Sequence, residues 1–418
     1  MPHAVIILAC LGVLLLLGAW ERLARDRARR AVPIRIHVNG TRGKSTVTRL
    51  IWGALVEAGI PAVAKTTGTA ARLLLPDGTE RPVRRLAPPN IREQLWLLRQ
   101  AHHAGARAVV AECMAIQPEL QAISERQMLA ATIGVITNVR TDHTDVMGRT
   151  LDDIAASLAN ATPRRGVLVV GDRPFLHVFE RRAHRLGTRV VLASAEASPA
   201  DRPSAADVDH DANSPASGWR NHNRALALAV TRELHIPDEV ALRGMAKARP
   251  DPGAVTTGTL NFAGRSVPFV DATAANDPES LDLLLADLQA GNELPPGGSH
   301  LWTRDAAGLI VVYNHRADRP ERFRCFAARS TPLRRAAHVL VTGDRPSLTL
   351  LRLVRRCRNG RLLHVAARSA LVTDLARLVV AAPAVETILF CGNAKRLDVS
   401  SLFGAQCFTN AQDPIPDS

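Results

Sequence analysis

The alternation of apolar and polar positions divides the chain into an apolar start and two α/β stretches. "AVIILACLGVLLLLGAW" (4–20) is an uninterrupted run of 17 uncharged, mostly aliphatic residues, just long enough to cross a bilayer as a helix. From Pro33 onward, short β-branched runs alternate with helical periodicity, the pattern of a parallel sheet covered on both faces. "IRIHV" (34–38), "RAVVAE" (107–112), "TIGVITNV" (132–139), "GVLVV" (166–170) and "TRVVLA" (188–193) predict strands. "STVTRLIWGALVEAG" (45–59) predicts a helix, with Val47, Leu50, Ile51, Leu55 and Val56 at helical spacing and Gly59 and Pro61 as its stop. A second helix is expected at "NHNRALALAVTREL" (221–234). Between them, residues 194–218 are rich in Ala, Ser, Asp and Pro without periodicity, and predict a flexible surface insertion. "RPDPG" (249–253) reads as a hinge, after which "GLIVVYN" (308–314), "HVLVTG" (338–343), "LLHVAA" (362–367) and "TILFCG" (387–392) predict a small parallel sheet. The expected organisation is an anchor with a basic juxtamembrane segment (1–32), a central domain (33–250) and a C-terminal α/β domain (251–418), with a site in the cleft between the two domains.

Charge orients the apolar start. Arg22, Arg25, Arg27, Arg29 and Arg30 follow the run, whereas a cleaved signal peptide has its positive charge in front and small residues behind. The bias of cytoplasmic flanks toward Arg and Lys predicts a single-pass anchor in the cell membrane, N-terminus out, with the body cytoplasmic. The body itself, with 46% hydrophobic and 22% charged residues, has the composition of a folded protein. The net charge of +14 suggests nucleic acid, yet only Lys44, Lys65, Lys247 and Lys395 are lysines and the arginines are scattered. Aromatics make up 4%, and basic clusters interleaved with them are missing, so nucleic-acid binding is not expected. Six cysteines without metal-ligand spacing imply neither a disulfide framework nor a zinc site, and fit a reducing compartment.

The chemistry concentrates after the first predicted strand, in "IHVNGTRGKST". Gly40, Thr41, Arg42, Gly43, Lys44, Ser45 and Thr46 follow a strand and open a helix, the setting of a phosphate loop, although the longer G-x-x-x-x-G-K-[ST] motif would need glycine where Val38 stands. Backbone N–H groups and the positive end of the helix favour phosphate oxygens, a lysine reaches the terminal phosphates, and a hydroxyl can hold Mg²⁺. Glu112 ends an apolar strand, where a lone carboxylate can face the loop and bind Mg²⁺, or merely meet solvent. Asn138, Asp142, His143 and Asp145 crowd the end of another strand, as a site in an open α/β sheet requires. Helix capping explains the two aspartates equally well, and His143 less well.

These segments resemble a family. "NGTRGKST" is similar to the G-T-x-G-K-[ST] loop of Mur ligases and folylpolyglutamate synthases, and "ITNVRTDHTDVMG" to their N-x-x-x-D-H segment. Arg42 in the loop, "AKTTGTAARLLLPDG" (64–78), "PPNIREQ" (88–94), "VVAECMAIQPELQ" (109–121) and the apolar start narrow the resemblance to the ligase subunit of poly-γ-glutamate synthases, the PgsB/CapB type. It is looser through "NRALALAV", "PDPGAV", "DATAANDPES" and "NHRADRPERF". The resemblance implies a Mur-ligase-like P-loop ATPase domain with a parallel sheet, a smaller Rossmann-like C-terminal domain and one transmembrane helix. It implies ATP and Mg²⁺, glutamate and the growing poly-γ-glutamate chain as substrates, and integral-membrane synthase or export subunits as partners, and it allows a homo-oligomer. A substrate carboxylate would attack the γ-phosphate, giving an acyl phosphate, and an amine would then displace phosphate. By the same likeness Lys44 holds the β- and γ-phosphates, Ser45 and Glu112 bind one Mg²⁺, and His143 helps bind a second metal. Asn138 would lie near the nucleotide, and Asn276, Asp277, Arg316 and Arg319 would let the second domain close on ATP. Many Mur ligases carry a carbamylated lysine, for which Lys65 and Lys247 are the candidates.

Two other classes compete. A cell-wall peptide ligase is expected to need an extra sugar-nucleotide domain, where only residues 1–32 precede the first strand. A membrane-anchored regulatory or transport ATPase would hydrolyse ATP without forming an amide.

Overall fold

The computed structural model describes residues 2–68, 71–85, 88–193, 218–249, 255–262, 264–273, 275, 277–290, 308–357, 363–393, 397 and 399–403. The predicted insertion, apart from Gly218, and the predicted hinge, apart from Arg249, lie outside them, as does Asn276. The chain forms two compact units, one from residues up to Arg202 with Asn221–Asp251, the other holding Pro252–Ser418.

The first unit begins with α1 (Pro2–Ala31), whose stretch Val5–Ala31 is long and apolar enough to cross a membrane. Its far end is anchored in the unit: Ala28 and Val32 are buried with Leu97, Leu98 and Ala101, and the Arg29 guanidinium donates to the Met128 carbonyl at 2.9 Å. The remaining elements are β1 (Ile34–Asn39), α2 (Lys44–Glu57), β2 (Ala62–Thr66), β3 (Arg72–Leu74), β4 (Glu80–Pro82), α3 (Glu93–His103), β5 (Ala108–Glu112), α4 (Pro118–Ile123), which runs into a π-helical turn (Ser124–Leu129), β6 (Ile133–Ile136), α5 (Leu151–Leu158), β7 (Val167–Val170), α6 (Leu176–Leu186), β8 (Arg189–Leu192), α7 (Gly218–Glu233) and α8 (Asp238–Lys247).

Eight strands form one sheet in the order β4-β3-β2-β5-β1-β6-β7-β8, parallel except for the β2-β3-β4 edge. The chain returns from β1 to opposite sides, β5 on one flank and β6 on the other, so β1 lies at the switch point where loops diverge and leave a crevice. Burial on both faces over Ile36–Asn39 explains why β1 sits still. Ile36 and Val38 pack with Val47, Ile51 and Leu55 of α2, each fully buried aliphatic contributing roughly 1.5–3 kcal/mol. Its alternate positions, His37 and Asn39, face α4 and the π turn, where they meet Glu125 and Gln121, each at 2.8 Å.

The second unit comprises β9 (Thr256–Phe262), β10 (Arg265–Asp271), α9 (Pro278–Ala290), β11 (Leu309–His315), α10 (Pro320–Arg329), α11 (Thr331–Arg335), β12 (His338–Gly343), α12 (Leu348–Cys357), β13 (Leu363–Val365), α13 (Leu371–Ala381), β14 (Thr387–Gly392) and α14 (Val399–Phe403). Its sheet runs β13-β12-β11-β14-β10-β9. The four predicted strands are joined by a parallel fifth, β10, and an antiparallel edge, β9, which the sequence reading left out. Alternate strand residues feed two cores: Val311, Tyr313 and Val339 pack under α9 to α12, and Ile310, Val312 and Leu340 under α13 and α14.

Strand β6 is shorter than expected. The segment 132–139 pairs only over Ile133–Ile136, because Thr137, Asn138 and Val139 turn their hydrogen-bonding groups to the loop after β1 and to Asp172.

Candidate active site

The loop after β1 is held by close backbone approach. Gly40 has φ +130°, and a β-carbon there would lie 2.0 Å from Thr137 Oγ1, so only glycine fits. Gly43, at φ +78°, caps the N-terminus of α2 and would place a β-carbon 2.6 Å from Asn223 Oδ1. Between them the segment after β6 clamps the backbone. The Thr41 hydroxyl donates to Asn138 Oδ1 at 2.7 Å and the Arg42 N–H to the same oxygen at 2.9 Å, while Asn138 Nδ2 donates to the Arg42 carbonyl at 3.2 Å. Thr137 Oγ1 donates to that carbonyl as well, at 2.6 Å.

Lys44 folds back over the loop, its Nζ donating to the Gly40 carbonyl at 2.8 Å and the Thr41 carbonyl at 3.2 Å. This holds the ammonium against the backbone of the loop that it closes. Ser45 in the first turn donates its hydroxyl to Glu112 Oε2 at 2.8 Å, and the Thr67 N–H donates to the same oxygen at 2.6 Å. Ser45 and Glu112, 67 positions apart, are therefore one donor pair beside the phosphate loop. The register explains the meeting, since Val38 lies opposite Glu112 on adjacent parallel strands.

His143 adopts φ +46° in the loop after β6, with its Nε2 3.9 Å from Asp142 Oδ1. Asp142 in turn lies 3.3 Å from Arg42, tying the loop arginine to this segment. Among the described residues no three His, Cys, Asp or Glu side chains gather as a metal cluster. Thr46 is half-buried on α2, and Asp145 is exposed.

Sequence reasoning missed two neighbours of the loop on α7. His222 Nε2 lies 2.8 Å from the Thr137 carbonyl, and Asn223, buried against Gly43, has an Nδ2 without a partner among the described residues. The signal was the polar triplet Asn221, His222, Asn223 ahead of the apolar run Ala225–Val230. Lys65, one of the two carbamylation candidates, is fully buried on β2, with its ammonium 2.9 Å from Glu93, which also pairs with Arg85 at 2.8 Å. Burial lowers the Lys65 pKa, only partly opposed by Glu93, and burial also works against the Glu93 carboxylate, which Arg85 and Lys65 nonetheless hold below its ordinary range. The other candidate, Lys247, is on the surface, 2.6 Å from Glu57.

In the second unit, Asp277 caps α9, accepting from the Ser280 N–H at 2.8 Å and hydroxyl at 2.6 Å. Arg316 pairs with Asp318 in the loop after β11, and Arg319 immediately precedes α10. All three lie at carboxyl ends of parallel strands, where Asn393 Nδ2 also donates to the Asn314 carbonyl at 2.9 Å and Arg322 donates to Asn393 Oδ1 at 2.7 Å.

Residues 38–228 match the Mur ligase middle domain, and residues 257–400 match the poly-gamma-glutamate synthase CapB C-terminal domain. The chain is 37% identical over 347 residues to the PGA synthase CapB of Bacillus subtilis (strain 168), covering 81% of each protein. The chain belongs to the CapB family of poly-γ-glutamate synthases. It is also 37% identical over 342 residues to the capsule biosynthesis protein CapB of Bacillus anthracis, covering 80% of this chain and 68% of that one. Among solved structures, E. coli FolC in complex with ADP matches with a TM-score of 0.57 at 17% identity, over 89% of this chain and 90% of that one. The Mycobacterium tuberculosis folylpolyglutamate synthase complexed with ADP gives 0.57 at 15% identity, over 93% and 96%. The fold of this CapB-family chain is therefore that of Mur ligases and folylpolyglutamate synthases.

Proposed function

We propose that the protein is an ATP-dependent amide ligase that polymerises glutamate through its γ-carboxyl, by way of an acyl phosphate. The observation that carries the reading is the Ser45–Glu112 contact beside the Lys44 loop, in a chain 37% identical to a PGA synthase. The residues fit a nucleotide with a divalent cation. The Ser45 hydroxyl and the Glu112 carboxylate are hard oxygen donors, such as Mg²⁺ takes one or two of while keeping its waters, and Lys44 needs only to leave two carbonyls to meet phosphate oxygens. A bound Mg²⁺ would neutralise charge on the phosphates. His143 is the residue assigned to a second cation, with Asp142 beside it.

The chain's own groups do the rest. The loop N–H groups and α2 orient the phosphates, Lys44 offsets the charge that moves onto the leaving phosphate, and Asn138 keeps the loop in shape. The substrate carboxylate then attacks the γ-phosphorus, ADP leaves, and the amine of the next glutamate displaces phosphate as the amide forms. Asn276, Asp277, Arg316 and Arg319 are assigned to the nucleotide on the strength of the family resemblance. α1 holds the protein in the cell membrane with its N-terminus outside and both units in the cytoplasm, beside integral-membrane subunits that assist synthesis or export.

The test is incubation of membranes holding the full chain and its membrane partners with ATP, Mg²⁺ and labelled glutamate, comparing wild type with Lys44→Ala. Wild type should give glutamate-dependent ADP and an acid-precipitable γ-linked polymer, and Lys44→Ala neither. ADP release indifferent to glutamate would instead mark an ATPase without ligase activity, and polymer from both proteins would remove the loop from the mechanism.

A further inference from the structure

The two faces of the second unit's sheet differ in charge. Helices α10, α11 and α12 together carry eight arginines and a single carboxylate, Glu321. On the opposite face, α13 carries one Asp and one Arg, Asp374 and Arg377, 3.6 Å apart, and α14 carries no charge. A bias of the whole chain toward arginine would load both faces alike. α10 packs against both α11 and α12, so Arg324, Arg329, Arg334, Arg352, Arg355 and Arg356, all exposed, lie on one continuous surface. α10 also packs against α9, which carries the carboxylates Glu279 and Asp282.

The arrangement on α12 is regular. Arg352, Arg355 and Arg356 stand at i, i+3 and i+4 on one side of the helix, and Leu350 and Val354 are buried on the other. A helix that lies in a lipid interface needs its apolar stripe for the acyl chains. Here Leu350 and Val354 are already used in the unit's own core with Phe323, Phe326 and Leu333, and the outward face carries the three guanidinium groups with only Leu348 and Leu353 exposed beside them, short of a continuous apolar stripe. Such a surface complements a flexible polyanion, because each planar guanidinium can take a carboxylate through two parallel N–H donors.

We infer that the α10–α12 face holds the growing γ-linked glutamate polymer, which bears one free α-carboxylate per residue, and keeps it on the enzyme between additions. This rests on the ligase reading above and adds a polymer-binding surface to it. The face acts by retaining product, so its loss shortens chains without slowing each addition.

The test uses the full chain in detergent, as wild type, as Arg352→Gln/Arg355→Gln/Arg356→Gln and as the corresponding triple Lys variant. Binding of fluorescently labelled poly-γ-glutamate is titrated at low and high salt, binding to phosphatidylglycerol/phosphatidylcholine vesicles is measured alongside, and product length is compared in membranes. The Gln variant should bind polymer about tenfold more weakly, as three exposed ion pairs of a few tenths to one kcal/mol would give. It should yield shorter chains at an unchanged initial rate of glutamate-dependent ADP release, and the Lys variant should keep most of the binding. Equal polymer affinity in wild type and the Gln variant overturns the inference, as does selective loss of vesicle binding, which would make the face a lipid contact. Arginine-dependent polymer binding by a wild type that makes no polymer would leave this face standing and refute the ligase reading. Normal synthesis with unchanged binding and length would do the reverse.

Discussion

Asn138→Ala tests whether the segment after β6 shapes the nucleotide loop. The side chain makes three hydrogen bonds to the loop, accepting from the Thr41 hydroxyl and the Arg42 N–H and donating to the Arg42 carbonyl. Each is worth about 1 kcal/mol net, and a buried group left without a partner costs about 1–3 kcal/mol. The Arg42 carbonyl keeps its bond from Thr137, the Thr41 N–H keeps the Asn138 main-chain carbonyl at 3.1 Å, and the Thr41 hydroxyl still reaches that carbonyl at 3.3 Å and accepts from the Arg140 N–H at 2.9 Å, so truncation chiefly takes the Oδ1 acceptor away from the Arg42 N–H. The loss should be about 1–3 kcal/mol of loop order, which appears as nucleotide binding weakened roughly 5- to 150-fold. Fluorescent ADP binding to the full chain in detergent, with Mg²⁺, measures it. A cycle with Thr41→Val separates brace from ligand. If Asn138 acts through Thr41, the double variant should be less impaired than the sum of the singles by about 1 kcal/mol. Wild-type affinity in Asn138→Ala, or strict additivity with Thr41→Val, would refute the reasoning.

Two further outcomes follow from the same geometry. Gly40→Ala should abolish nucleotide binding while leaving far-UV circular dichroism near wild type, because the new β-carbon would lie 2.0 Å from Thr137 Oγ1 at a positive φ; tight binding by this variant would show the loop to be pliable. His37 is buried 2.8 Å from Glu125, and although burial disfavours the imidazolium, Cys113 and Glu125 beside it hold its pKa up to about 10. Its folded pKa lies above the ordinary 6.5, so its contribution to stability is full below pH 6.5 and is lost as pH rises through about 10. Thermal unfolding between pH 6 and 10 should therefore decline more steeply for wild type than for His37→Gln, and parallel curves would place the proton elsewhere.

Local features were legible and long-range ones were not. The phosphate loop, the strand before it and the helix after it declare themselves within one stretch, Ile34–Glu57, because glycine, lysine and periodicity act on neighbours. Glu112 was legible as a carboxylate ending an apolar strand, and the register that puts it opposite Val38 supplied the rest. Strand β2 escaped notice because Lys65 interrupts "AVAKT" with a charge, and charges are rarely found fully buried unless paired. The partner that allows it, Glu93, lies 28 positions away on α3. The hairpin of β9 and β10 alternates faithfully, with Leu260, Phe262, Val267 and Phe269 buried. Pro268, which lacks a donor N–H, is tolerated because β10 pairs with β14 only over Phe269–Asp271, past the proline.

The underside of β1 shows why a correctly predicted strand still conceals part of its role. Its β-branched residues specify a strand by packing on α2, and that much is written in the alternation of Ile34, Ile36 and Val38. The intervening His37 and Asn39 look like ordinary polar positions, yet they pair with Glu125 and Gln121, four residues apart along α4 and the π turn. Two polar contacts in register do what apolar packing alone does not: a slide of the helix along β1 would leave a buried carboxylate and a buried amide without partners, at a cost of several kcal/mol. Gln121 carries the constraint onward, its Nε2 donating to the Ile116 carbonyl at 2.9 Å in the loop that follows Glu112. The strand that delivers the phosphate loop and the loop that follows Glu112 are thus referred to one helix. That common reference lets Ser45 and Glu112 meet at hydrogen-bonding distance from positions 67 residues apart.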